Sequence, residues 1–206
     1  ILTLVGALLL VQPQGASGQT DSVTVIASEK YAAGSTKEWL LGSSYRDLWS
    51  MPIRVPVLDL AAWEGGLTPT EQGGGQQTLS LRLMSANGRE WTFRSVDKTP
   101  ARARQPDFAG ALAGKLIQDQ VSSLFPAAPV PASRIARAAG ILHPEPVLFV
   151  MPDDPALGEF RELFAGMLGT LEEYADEKEE GGPGFGGFER IAGTDSFIEN
   201  IEEDPR

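Results

Sequence analysis

The stretch from Thr78 to Val96, "TLSLRLMSANGREWTFRSV", constrains the fold more than any other part of the chain. Leu79, Leu81 and Leu83 alternate with Ser80, Arg82 and Met84, and "EWTFRSV" carries the aromatic and β-branched residues that suit a pleated surface. Asn87-Gly88 between the two runs predicts a two-residue type I′ turn. Such a turn puts Leu81 opposite Arg94 and Leu83 opposite Thr92, and cross-strand partners share a face. The expected faces are Leu79, Leu81, Leu83, Thr92, Arg94 and Val96 on one side, and Ser80, Arg82, Met84, Trp91, Phe93 and Ser95 on the other. A four-residue turn keeps this grouping, whereas a three-residue turn breaks it, because side chains alternate with a period of two. Arg94 among aliphatic neighbours then needs an anion, either a protein carboxylate or a ligand phosphate.

Other elements group around the hairpin. Residues 62–77, "AWEGGLTPTEQGGGQQ", hold five glycines and few large apolar side chains, which predicts an irregular loop. Gly73, Gly74 and Gly75 would let backbone N–H groups approach phosphate oxygens, but "GGGQQT" has neither the Lys-Ser/Thr of a P-loop nor a following helix. An ordinary flexible loop is the competing reading. Earlier, residues 19–35 read as a flexible lead-in, "KEWLLG" and "SYRDLW" as short helical turns, and "IRVPVLDL" as an edge strand because of Pro56.

After the hairpin, periodicity predicts a helix from about Ala109 to Phe125, with Ala113, Leu116, Ile117, Val121 and Leu124 on one face. A short helix, "ASRIARAAG", closes at Gly140, and "EPVLFVM" is a buried strand. "PDDPALGEFRELF" starts a helix capped by Asp153 or Asp154, and "GMLGTLEEY" is a further strand. The expected fold is α+β: a small, mainly antiparallel sheet with a Gly-rich loop and hairpin, packed on one or two helices. It occupies residues 36–174, followed by an acidic, glycine-rich linker at 175–188 and the start of a further segment at 189–206.

The 206 residues suffice for one domain with a real core. "LTLVGALLLV" followed by Ala16-Ser17-Gly18 has the form of a signal peptide over residues 1–18, truncated at its start, and predicts export to the periplasm, outer envelope or extracellular space. An apolar run of that length does not span a bilayer, which needs roughly 20 residues. The absence of cysteine excludes disulfides and suits a bacterial envelope or extracellular protein. Net charge is −11, but residues 1–150 hold 13 basic and 12 acidic side chains, so the surplus of acid lies in residues 151–206. That balance argues against nucleic acid as a partner. Residues 78–137 carry nine basic and four acidic side chains, a local surplus suited to a small anion.

The order strand, Gly-rich loop, hairpin with a cation on its second strand, helix and two further strands leading to a linker resembles a protein-kinase-like N-lobe. The wording "GGGQQTLSLRL…GREWTFRSVDK…IQDQVSS…FVMPDDPALGEF" is similar to the N-terminal part of exported bacterial proteins related to the secretory-pathway and spore-coat atypical kinases, over roughly residues 36–206. The resemblance implies that Gly73, Gly74 and Gly75 cover nucleotide phosphates and that Arg94 or Lys98 stands at the position of the family's phosphate-pairing lysine. It also implies that the helix from Ala109 offers an acidic partner, Asp119, and that Glu172 and Glu173 lie near the hinge between lobes. The cofactor would be ATP with Mg in the full-length protein. The catalytic base and metal ligands would come from a missing C-terminal part of the same chain, so this fragment would not be catalytic by itself. The alternative is a non-catalytic binding or assembly module of the cell envelope, in which the hairpin and Arg94 are structural.

Remaining chemistry-bearing residues have plainer explanations. Asp153-Asp154 fits a helix cap, and His143, the one histidine, fits a loop position before Pro144. Ser80, Ser95 and Ser122 lie in no nucleophile motif, and "EEYADEKEE" lacks calcium-loop spacing.

Export gives the first testable expectation. With a start codon and basic segment restored, the mature protein should begin near Gln19 and lie outside the cytoplasm. N-terminal sequencing that finds residues 1–18 intact on a cytoplasmic product would end this expectation.

Overall fold

A computed structural model describes residues 21–74, 77–98, 108–175, 185–187 and 191, with backbone alone at 108–113. The hairpin forms as β4 (Ser80–Ser85) and β5 (Glu90–Ser95), but with a register one residue away from the expected one. Ser80 pairs with Arg94, Leu81 with Phe93 and Leu83 with Trp91. Only Gly88 in the turn has positive φ (80°), so the two-residue type I′ geometry, which needs two such residues, does not occur. Ser85 N–H bonds to the Arg89 carbonyl at 2.9 Å across a three-residue loop, and Asn87 Oδ1 accepts from Arg89 N–H at 3.1 Å. This is the turn-plus-left-handed-glycine loop.

The observed register inverts the role of one face. Leu81, Leu83, Trp91 and Phe93 now share the buried side, and Arg94 moves to the opposite face with Ser80, Arg82 and Thr92. Four large apolar side chains are buried at once, which the two-residue turn could not achieve.

Residues 67–73 are a second departure. Read as irregular loop, they form β3 (Leu67–Gly73), antiparallel to β4. Thr68 and Thr70 favour extended backbone, and a bulge between Pro69 and Glu71 lets a proline sit on an edge strand. Gly74 (φ 91°) begins the turn into β4; a Cβ there would lie 2.2 Å from the Thr78 carbonyl oxygen.

The presumed lead-in is also structured. Residues Ser22–Val25 form β1, antiparallel to β2 (Ile53–Pro56), and Glu29–Tyr31 form a 3-10 turn that buries Tyr31 against Trp49 with ring centroids 4.6 Å apart. Pro56 ends an edge strand as expected.

β6 (Val147–Val150) and β7 (Leu168–Glu173) complete a five-stranded antiparallel sheet in the order β3-β4-β5-β7-β6, and the β1–β2 pair joins β6 through Val57 and Val150. The helices are α1 (Ser35–Leu41), α2 (Arg46–Ser50), α3 (Phe108–Gln120), α4 (Pro129–Ala138) and α5 (Arg161–Phe164). Gly140 (φ 69°) follows α4 as expected, and Asp154 caps a 3-10 turn by accepting from Ala156 N–H at 2.7 Å. Helix α3 gives way to a 3-10 turn at Val121. Its expected apolar stripe is only partly a core stripe: Val121 is buried, but Leu116 and Leu124 are exposed. An α+β domain with a small antiparallel sheet is therefore what the chain builds.

Leu58, Leu60, Leu157 and Phe164 pack on the apolar face of the five-stranded sheet, against Leu81, Leu83, Phe93 and Leu171. The other face is divided. At one end Val96, Leu168 and Val150 are covered by Tyr31, Trp49 and Val121. Further along the same strands the side chains become Arg94, Thr170, Thr92 and Glu172.

Gly169 is the tightest point between β5 and β7: a Cβ there would lie 2.3 Å from Phe93 Cζ and 2.6 Å from the Arg94 carbonyl oxygen. Gly169→Ala should destabilise the domain by about 1–3 kcal/mol, the usual cost of overpacking. A urea unfolding midpoint unchanged from wild type would contradict this packing.

Candidate functional site

The polar part of the divided sheet face is the candidate site. Register places its side chains in two cross-strand rows. The first runs Gly73, Ser80, Arg94, Thr170, Leu148, and the second Glu71, Arg82, Thr92, Glu172. Adjacent strands lie about 4.8 Å apart, so Arg94 stands about 10 Å across the sheet from the glycine turn, at the same level. A Cβ on Gly73 would meet Ser80 Oγ at 2.8 Å, so the Ser80 side chain takes the space beside the glycine.

Charges alternate over this surface. Arg94 Nε donates to Glu172 Oε1 at 2.7 Å. Arg82 donates to the Tyr174 hydroxyl at 2.7 Å and lies 4.1 Å from the centre of that ring, with Glu71 and Glu90 at 3.7 and 3.9 Å. Beneath the long side chains Ser80, Thr92 and Thr170 are buried, and Thr92 Oγ1 has no hydrogen-bond partner. The Arg94 side chain remains 40% exposed and that of Glu172 18%. Arg94 is the more open member of the pair, so solvent reaches its guanidinium while Glu172 holds it.

The structure separates the remaining predicted residues from Arg94. Gly75 lies outside the described residues, so the glycine turn is described only at Gly73 and Gly74. Lys98 lies beyond the end of β5, and its carbonyl accepts from Tyr31 Oη at 3.0 Å and Gln118 Nε2 at 2.6 Å. Asp119 does not meet Arg94 or Lys98 but binds Arg46 Nη1 at 2.9 Å and Lys37 Nζ at 2.8 Å. Arg46 is 2% exposed and also donates to the carbonyls of Tyr31 and Gly42. Its hydrogen bonds, followed by those of Lys37, hold the Asp119 carboxyl below the ordinary carboxylate value despite desolvation. Asp119 is thus the anchor of α3 on α2. Nearby, burial and then the Asp97 hydrogen bond push the Tyr31 phenol well above its usual range.

Arg82, Thr92 and Glu172 are neighbours of Arg94 that the expected register concealed. The signal that would have found them is the parity of Leu81, Leu83, Trp91 and Phe93: all four can share one buried face only if the loop has an odd number of residues. Comparison with protein-family models, curated proteins and solved structures gives no match.

Removing the Asp119 carboxylate leaves a buried guanidinium unpaired. Asp119→Asn should therefore cost about 3 kcal/mol in denaturant unfolding. Because the folded carboxyl titrates below its unfolded value, the wild-type advantage is complete above the ordinary carboxylate range and is lost as pH falls through the lowered value. Equal stability of the two proteins at neutral pH would show that the pair anchors nothing.

Proposed function

We propose that the domain is the nucleotide-facing lobe of an exported, atypical kinase-related protein, and that the polar sheet face is the surface turned toward the nucleotide. The cross-strand row Gly73, Ser80, Arg94 carries this reading: it sets a glycine turn and a half-exposed cation on one face. Val121, at the end of α3, packs farther along that same face. The element order agrees with the resemblance. Its residue roles change, because the cation is Arg94 and its acidic partner is Glu172 of β7, while Asp119 serves Arg46.

The residue set fits the anionic part of ATP. Arg94 would bind phosphate oxygens, the glycine turn would leave room for them, and the Thr92 hydroxyl, buried without a partner, is an unused donor on this face. Bound ATP would supply the transferable phosphoryl group. Among the described residues no group of three or more His, Asp or Glu is placed to hold a metal ion, so Mg would be held by a second lobe, which would also bring the catalytic base.

A non-catalytic envelope module is the second reading, favoured by the carboxylate already 2.7 Å from Arg94. Nucleotide binding by the full-length protein separates the two. Arg94→Ala should weaken binding about tenfold or more, as loss of a charge-assisted hydrogen bond of about 1.5 kcal/mol requires, and Lys98→Ala should change it little. Residues 19–206 alone should show no ATP turnover above background. Equal, small effects of both substitutions would leave Arg94 a structural residue and favour the envelope module.

A further inference from the structure

The most exposed apolar side chain among the described residues is on α1. Helix α1 buries none of its seven residues. Trp39 is 85% exposed and Leu40 71%, and Leu41 next to them is also exposed. Successive residues on a helix stand about 100° apart, so these three cover about 200° of its circumference. A groove in a partner protein takes one face of a helix; a helix end apolar over such an arc fits a medium that surrounds it.

The apolar surface continues beyond α1. Leu41 and Leu116 line one groove, and Tyr45 lies against Phe125 with ring centroids 6.0 Å apart, both rings half exposed. Tyr45 N–H bonds to the Ser122 carbonyl at 3.0 Å, which fixes the segment after α1 to the end of α3. Three lysines line the groove beside Leu41 and Leu116: Lys30 pairs with Asp97 at 2.6 Å and Lys37 with Asp119 at 2.8 Å, while Lys115 has no carboxylate partner among the described residues. Glu38 on α1 and Asp47 on α2 are the other acids of these helices.

We propose that this face is a peripheral docking surface for an anionic lipid bilayer, with Trp39 and Leu40 entering the interface and Lys115 facing headgroup phosphates. Tryptophan is enriched at that depth because its ring is apolar and its N–H polar, and a basic residue close to an anionic surface adds attraction that salt screens. No described helix is long and apolar enough to cross a membrane, so the domain would lie on the bilayer rather than span it. The inference is independent of the nucleotide reading.

Residues 19–206 retain every described residue and exclude the apolar run at 2–11, which would bind lipid by itself. Of the four tryptophans, Trp49 and Trp91 are buried and Trp63 is partly buried, so external quenching reports Trp39. Mixed phosphatidylcholine–phosphatidylglycerol vesicles should shift Trp39 emission to the blue and protect it from acrylamide. Trp39→Ser with Leu40→Ser should reduce co-sedimentation with these vesicles about tenfold or more while circular dichroism and the unfolding midpoint stay unchanged. Lys115→Glu should weaken binding to the mixed vesicles and not to phosphatidylcholine alone. Undiminished sedimentation of the double variant, or no emission shift with vesicles, would overturn the proposal. A blue shift that grows with protein concentration in the absence of lipid would overturn it in favour of a second copy of the chain.

Discussion

A loop of three residues, Ala86-Asn87-Gly88, sets the parity of pairing between β4 and β5, and both faces of the five-stranded sheet follow from that parity. With it, Leu81, Leu83, Trp91 and Phe93 project to one side and become the floor of the larger core. Burial of four such side chains contributes several kcal/mol, at about 1.5–3 kcal/mol each, far more than the difference between one hairpin loop and another. The register is therefore chosen by the core, with Gly88 supplying the one left-handed residue the chosen loop requires.

A second constraint joins the N-terminal helices to the sheet. Arg46 is buried, so it is tolerable only with its charge matched, and Asp119 on α3 matches it in two-pronged contact. Tyr31 fills the neighbouring space, donating to Asp97 at 2.8 Å while its ring lies on Trp49. These polar contacts surround the smaller core of Tyr31, Trp49, Val55, Val96 and Val150. They place α3 over the apolar end of the same face that carries Arg94, and leave the other end open to water.

The open end and the exposed α1 meet different chemistry. Over the polar rows long charged side chains shelter small hydroxyls, and Arg94 stays partly open to water beside Glu172. On α1 the situation reverses: large apolar side chains stand in water without a covering layer. One surface is polar and charged and the other apolar, and the buried Arg46–Asp119 pair ties α2 to α3.

Local chemistry by itself determined the strands around Leu81, Phe93, Leu148 and Leu171, the short helices at 35–41 and 46–50, the Asp154 cap and the Gly140 stop, because alternation, propensity and capping act between near neighbours in the chain. The α+β class was legible for the same reason. β1 and β3 were not, since a four-residue strand and a polar strand interrupted by Pro69 become strands only when a partner supplies the ladder. Site chemistry divided along the same line. That Arg94 needs an anion was legible from its charge, but which anion depended on the parity of the hairpin, and Glu172 comes within 2.7 Å only once β7 lies beside β5. Asp119 likewise was visible as an acid on α3, while its partner, Arg46, lies far away in sequence, and only tertiary packing brings the two charges out of water together.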